Sequence, residues 1–445
     1  MPEEERQKRE AEKADKRKAR KNNGAKRDMH YEMEQEEHDV YPDDPDFDIN
    51  NARLVTIATR ICVRYECVPM RFIKHVYKIH TYAQDGRLFE GKTPVSAFLN
   101  SSYDGSFIAG LMELRYIQSL PVERIINYFE SHGFTLKKPT AHKLMEKASS
   151  LFENLYKCIR QTALSDPYKA ADETYYKILV PEKNSKGKGF RKGYLWVVVG
   201  INTRMIYLLY DDGSRSEKVI LNELGGCKGI IQSDGYSPYR KLESDAYPHI
   251  TRIPCLQHIK RKFIDCGEDD PDAKRIVEMI NTLYQNEHKH KIGVDGWTVE
   301  QNLVHRKKYA PDILGEIKDV LDDIEERGDL LPKSELKEAI TYLRNEWNAV
   351  VDIFNYGDTY LDNNIVERMN RYISLSRKNS LFFGSHKGAE RGAILYTIAL
   401  TCRMNKVNLF EYLTDIINRT AEWQPNTPLE KYRQLLPDRW EKAND

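Results

Sequence analysis

The stretch G-I-I-Q-S-D-G-Y, residues 229–236, decides how this chain is read. A short apolar run ends in an acid followed by glycine. That is the signature of a buried strand that delivers Asp234 at its end and then turns sharply at Gly235. Upstream, E-T-Y-Y-K-I-L-V (173–180) reads as a first strand with Asp172 at its start. Residues 183–193, K-N-S-K-G-K-G-F-R-K-G, form a basic hairpin loop. Y-L-W-V-V-V-G-I (194–201) and M-I-Y-L-L-Y (205–210) are the second and third strands, with Trp196 in the core. R-S-E-K-V-I-L-N-E-L (215–224) is a helix stopped by Gly225 and Gly226. H-I-T-R-I-P-C-L-Q-H (249–258) is a fifth strand that leads into I-K-R-K-F.

Three strands, helix, strand, helix, strand is a mixed α/β arrangement, and this order matches the ribonuclease-H-like core. In that order the first and fourth strands are neighbours, so Asp172 and Asp234 face one site. A third acid, Glu367, lies in the helix-like stretch D-N-N-I-V-E-R (362–368). Acids delivered by two strand ends and a helix suit two hard divalent cations, Mg²⁺ or Mn²⁺. Such a pair clamps the attacking and leaving oxygens of a phosphodiester, which points to chemistry on nucleic acid. The competing explanation for each acid is a cap, a turn or a surface charge. Glu173 falls on the opposite strand face from Asp172. Asp211 and Asp212 precede Gly213 and are explained by a turn. Asp362 sits about 500° around a helix from Glu367 and so off its face. Asn363 and Asn364 are N-cap candidates for the Glu367 helix, with Asn364 also in reach of the acids. His288 and His290 lack further ligands nearby in sequence.

Basic residues accompany the acids. His258, Arg261 and Lys262 follow the fifth strand, and Arg368, Arg371, Arg377 and Lys378 share or follow the Glu367 helix. They are candidates for phosphate contact. Upstream, L-P-V-E-R-I-I-N-Y-F-E-S-H-G-F (120–134) starts a helix near Pro121 and stops it at Gly133, and a second helix runs from about Ala141 to Tyr156. This is the outline of a helix-turn-helix, with Lys137, Lys138 and Lys143 near the start of its second helix.

The whole chain of 445 residues carries a net charge of +1, so any DNA affinity must come from how charge is distributed. Residues 1–27 hold eleven Lys/Arg against six Asp/Glu, and residues 28–48 hold ten Asp/Glu and no Lys/Arg. Such blocks are expected to be disordered over 1–50. The expected organisation continues with a small β-rich segment at 51–93 and the helical DNA-binding region at 94–165. The first part of the core spans 166–267, an all-helical insertion 268–355, core helices 356–425 and a tail 426–445. No run approaches the ~20 apolar residues of a membrane span, and no secretory signal is read. The seven cysteines are dispersed without a C-x-x-C pair, which fits a reducing cytoplasm and argues against structural zinc.

The blocks A-D-E-T, K-G-Y-L-W-V, I-I-Q-S-D-G-Y-S-P-Y and C-L-Q-H-I-K-R-K-F occur in that order. D-N-N-I-V-E-R-M-N-R and S-R-K-N-S-L-F-F-G-S-H-K-G-A-E-R-G-A-I-L-Y follow them. From about residue 94 to 420 the chain resembles the transposases of the insertion-sequence-66 family. The resemblance implies a DDE triad, which falls on Asp172, Asp234 and Glu367. It also implies metal-dependent cleavage at terminal inverted repeats and strand transfer into target double-stranded DNA. A homo-oligomer in the DNA complex, accessory transposition proteins and a place at the bacterial nucleoid are further implications. Where such transposases carry N-terminal cysteine pairs, this chain has none, and Gln84 follows Tyr82-Ala83. Zinc is therefore not expected. The alternatives on the same residues are a catalytically idle DNA-binding remnant and a nuclease of the same fold.

Overall fold

The computed structural model describes residues 70–442, apart from 77–80, 85–86, 91–96, 99–100, 183–186, 188 and 268, with backbone alone at 81–84 and 87–90. The charged segment 1–50, most of the β-rich segment 51–93 and residues 183–186 and 188 of the basic loop lie outside the described residues. Within the β-rich segment, β1 (Thr81–Gln84) and β2 (Arg87–Glu90) form an antiparallel hairpin. Residues 72–76, expected as strand, are without regular structure. Phe72 instead packs its ring against Phe107, Phe129 and Phe134.

Four helices follow: α1 (Gly105–Met112), α2 (Val122–Ser131), α3 (Lys138–Leu151) and α4 (Glu153–Ser165). The single helix expected over 141–156 begins earlier and is broken at Phe152. Pro139 in the first turn sets the earlier start, because its missing N–H costs nothing there.

The sheet comprises β3 (Tyr168–Leu179), β4 (Phe190–Gly200), β5 (Met205–Leu209), β6 (Gly229–Ser233) and β7 (Ile250–Pro254). Helix α5 (Glu217–Leu224) precedes β6, and the short α6 (Ser237–Arg240) follows it. The strand order is β5-β4-β3-β6-β7. β4 is antiparallel to both of its neighbours, whereas β3, β6 and β7 run parallel. Val197, Val198 and Val199 are fully buried, as a β-branched run covered on both faces must be. β7 stops at Pro254, so Cys255 to His258 open a helix, α7 (Leu256–Ile264), where a strand had been expected.

Three long helices come next: α8 (Pro271–Glu287), α9 (Val299–Arg327) and α10 (Glu335–Ile353). They are followed by α11 (Asn364–Asn379), α12 (His386–Met404), α13 (Leu409–Thr420) and α14 (Leu429–Arg433). One apolar core joins β3, β4 and β5 to α1–α4 and to α11–α13. A second joins Tyr168, Ile230 and Ile253 of the sheet to α7–α10. The C-terminal segment is no loose tail: Tyr432, Leu435 and Leu436 are buried, and Trp440 Nε1 donates to Asp415 at 2.6 Å.

Candidate active site

Parallel pairing matches Ala170 of β3 with Gln232 of β6. Continuing that register two residues past its last pair brings Asp172 of β3 alongside Asp234, which follows the end of β6 at Ser233, and the two carboxylates interact by charge. Asp172 is thus inside β3, five residues along, and not at its start: the strand begins at Tyr168. The crevice beyond the carboxyl end of parallel strands is where open α/β sheets collect ligands.

Asp172 is placed where its charged form is disfavoured. Burial, then the charges of Glu173 and Asp234, push the Asp172 carboxyl up to about 8. Its oxygens are held from two sides. The Glu173 backbone N–H donates to Oδ1 at 2.8 Å, and Asn370 Nδ2 donates to Oδ2 at 2.6 Å. Glu173, assigned by strand alternation to the other face, still belongs to this charge cluster. Its own carboxyl is raised by burial and by Asp234, against the lowering effect of Arg215. Arg215 Nε donates to Glu173 Oε1 at 3.0 Å, and its guanidinium lies over the rings of Tyr194 and Tyr236.

The turn that carries Asp234 is fixed by elements far away in sequence. Tyr236 N–H donates to Asp234 Oδ1 at 3.0 Å, closing an Asx turn. Arg252 of β7 donates to the Asp234 carbonyl at 2.7 Å. Gly235 N–H donates to Tyr342 Oη of α10 at 2.8 Å. A Cβ on Gly235 would stand 2.5 Å from that hydroxyl. Glycine is therefore required by the close approach of Tyr342; its φ is not in the left-handed region. Arg252 is itself buried against Glu346 of α10, with Nη2 donating to Oε2 at 2.6 Å.

Glu367 lies near the start of α11. Its Oε1 is 3.6 Å from Nδ1 of His258, beyond hydrogen-bond reach, and both atoms are buried without a partner. Of the two asparagines considered as caps, Asn363 is the N-cap residue of α11, but its side chain makes no capping hydrogen bond. Asp362 Oδ1 accepts from the Asn364 N–H at 3.1 Å, while Asn363 donates through Nδ2 to the Ala171 carbonyl at 3.0 Å. Asn363 and Asn370 thereby tie α11 to β3, at the Ala171 carbonyl and at the Asp172 carboxylate. The sequence reading passed over Asn370, although it stands three residues after Glu367 and so on the same helical face.

The basic candidates divide. Lys137, Lys138, Lys143, Arg261, Lys262, Arg368, Arg371 and Lys378 are exposed, with Lys138 ion-paired to Glu123. Arg377 is turned inward: it donates to the Tyr175 carbonyl and stacks 3.9 Å over the Tyr175 ring. His258 is half-buried against Glu367. His290 stacks on Trp297 at 3.9 Å, which accounts for it without a metal. Asp212 takes φ 47° ahead of Gly213, as a turn residue does.

The family model described as "Transposase IS66 family" matches residues 100–391. Curated proteins of Sinorhizobium fredii (strain NBRC 101917 / NGR234) are also similar. "Uncharacterized protein y4jD" is 25% identical over 346 residues, covering 75% of this chain and 65% of that protein. "Uncharacterized protein y4hP" is 23% identical over 418 residues, covering 88% and 73%. "Uncharacterized protein y4qI" is 26% identical over 384 residues, covering 82% and 69%. The chain thus spans about two thirds of the length of the first of these relatives.

Proposed function

We propose, because the chain belongs to the IS66 family of transposases, that it cleaves DNA at the ends of a mobile element and joins the freed ends to target DNA. In this reading the sheet is a ribonuclease-H-like core and Asp172, Asp234 and Glu367 are its acidic triad. The observation that carries the reading is the placement of Asp172 alongside Asp234 at the end of β6.

The donor set fits divalent cations such as Mg²⁺. Oxygen ligands dominate, and Asp172 is forced toward its neutral form by burial and neighbouring carboxylates. Asp172, Asp234 and Glu367 would hold the ions, which supply an activated water and neutralise charge on the transferring phosphoryl group.

The remaining roles fall to the chain's own groups. Asn370 orients Asp172 through Oδ2, and Arg252 with Tyr342 fixes the Asp234 turn. Arg261, Arg368, Arg371 and Lys378 face solvent and would take DNA phosphates. Lys137, Lys138 and Lys143 at the start of α3 would contact DNA from a helix-turn-helix-like region. Inverted repeats as substrate, action as a homo-oligomer and help from accessory proteins belong to the same proposal. Among the described residues, no helix is long and apolar enough to cross a membrane.

The test is a duplex carrying the element's own end, incubated with the purified chain and Mg²⁺. Wild type should nick the end and transfer it, while Asp172→Ala and Glu367→Ala should bind DNA and leave it intact. Cleavage surviving in both variants would defeat the assignment. Nicking without strand transfer would point to a nuclease.

A further inference from the structure

Glu367 stands beside a second set of ligating atoms outside the aspartate pair. Cys255 caps α7 and His258 lies three residues on, which sets both side chains over the first turn of one helix. One ligand atom from each of Cys255, His258 and Glu367 falls within 4.8 Å of the other two. We propose that these three side chains form a site for a zinc-class divalent cation that borders the hard-ion site of the proposed function and shares Glu367 with it, with a fourth position open.

Four observations support it. First, His258 Nδ1 and Glu367 Oε1 are buried, 3.6 Å apart, and neither has a hydrogen-bond partner. Two buried polar atoms left in this way carry a desolvation penalty that a shared ligand removes. Secondly, zinc bonds of about 2.0–2.2 Å to nitrogen and oxygen give tetrahedral edges of about 3.3–3.6 Å, and the observed separation is of that size. Thirdly, Cys255 Sγ already accepts the Asn363 backbone N–H at 3.2 Å, as a ligating sulfur does from its surroundings. Fourthly, the donors are one sulfur, one imidazole nitrogen and one carboxylate oxygen. Sulfur selects zinc-class ions over Mg²⁺. The set differs from the closed cysteine-pair sites that the sequence lacks: three protein ligands and an open position characterise a reactive or exchangeable site. A cation held here would fix Glu367 through Oε1 and leave Oε2 for another partner.

The site shares Glu367 with the triad of the proposed function, but its test uses no DNA, so its failure and the failure of that reading are distinguishable. Co²⁺ is titrated into the full chain, purified with chelator and kept reduced, and the absorption is followed. The expected result is one equivalent of tetrahedral cobalt with a thiolate-to-cobalt charge-transfer band, bleached by Zn²⁺. Cys255→Ser should remove that band. His258→Ala should weaken binding by about 10-fold or more. Absence of the sulfur band in wild type, its persistence in Cys255→Ser, or unchanged affinity in His258→Ala would each overturn the proposal.

Discussion

Asp172 is the residue whose environment makes the clearest demands. Its carboxyl is raised to about 8, chiefly by burial and then by Glu173 and Asp234. A carboxyl raised in the folded state binds its proton more tightly there than in the unfolded chain, so folding loses stability as pH rises. The loss begins above the ordinary carboxylate range and is complete above about pH 8. Asp172→Asn is therefore expected to abolish cleavage and yet to raise the melting temperature in chelator. The gain should be on the order of 2 kcal/mol at pH 8, after allowing for partial exposure, and smaller at pH 5. Thermal melts at the two pH values check it, and a variant that melts lower at pH 8 contradicts it. Asn370→Ala removes the amide that holds Oδ2 and should cut Mg²⁺-dependent cleavage by about 10–100-fold while leaving DNA affinity intact. Gly235→Ala drives a methyl into the Tyr342 hydroxyl and should destabilise by about 1–3 kcal/mol, read from denaturant midpoints. If Gly235→Ala melts like wild type, the close approach of Tyr342 is not what fixes this position.

At the level of elements, the strands that carry or deliver Asp172 and Asp234 were legible because each is announced locally. Asp234 and its glycine end an apolar run, and the alternation of 173–180 marks a strand around Asp172. What was illegible lies in partnerships between distant segments. Nothing around Arg252 or Glu346 in the sequence announces that β7 and α10 share a buried ion pair, yet that pair holds the Asp234 carbonyl. Cys255 and His258 were read as the end of a strand because I-T-R-I-P-C alternates, and only the stop at Pro254 turns them onto a helix. Breaking the buried pair with Glu346→Gln should cost about 3–5 kcal/mol, because Arg252 is left charged and partly uncompensated. The same variant should slow cleavage through the Asp234 turn. Full activity together with wild-type stability would show that α10 does not support the turn.

For the whole molecule, a net charge of +1 conceals exposed arginines and lysines on α3, α7 and α11. DNA affinity should therefore fall steeply with salt. Replacing Arg368 or Arg371 by Ala should flatten the plot of log affinity against log salt by about one each, across unrelated sequences. Fluorescence anisotropy over a salt series reads this, and an unchanged slope removes these residues from the DNA path.

The span of the bonds that assemble the acids has a consequence for synthesis. Gly235 reaches Tyr342 across 107 positions, and Asp172 reaches Asn370 across 198. Contacts this remote form only after large loops close, which makes for high contact order and slow folding. On the ribosome, a nascent chain that has exposed both aspartates still lacks α10 and α11. The two aspartates emerge early and stay unorganised until α10 and α11 have also been made.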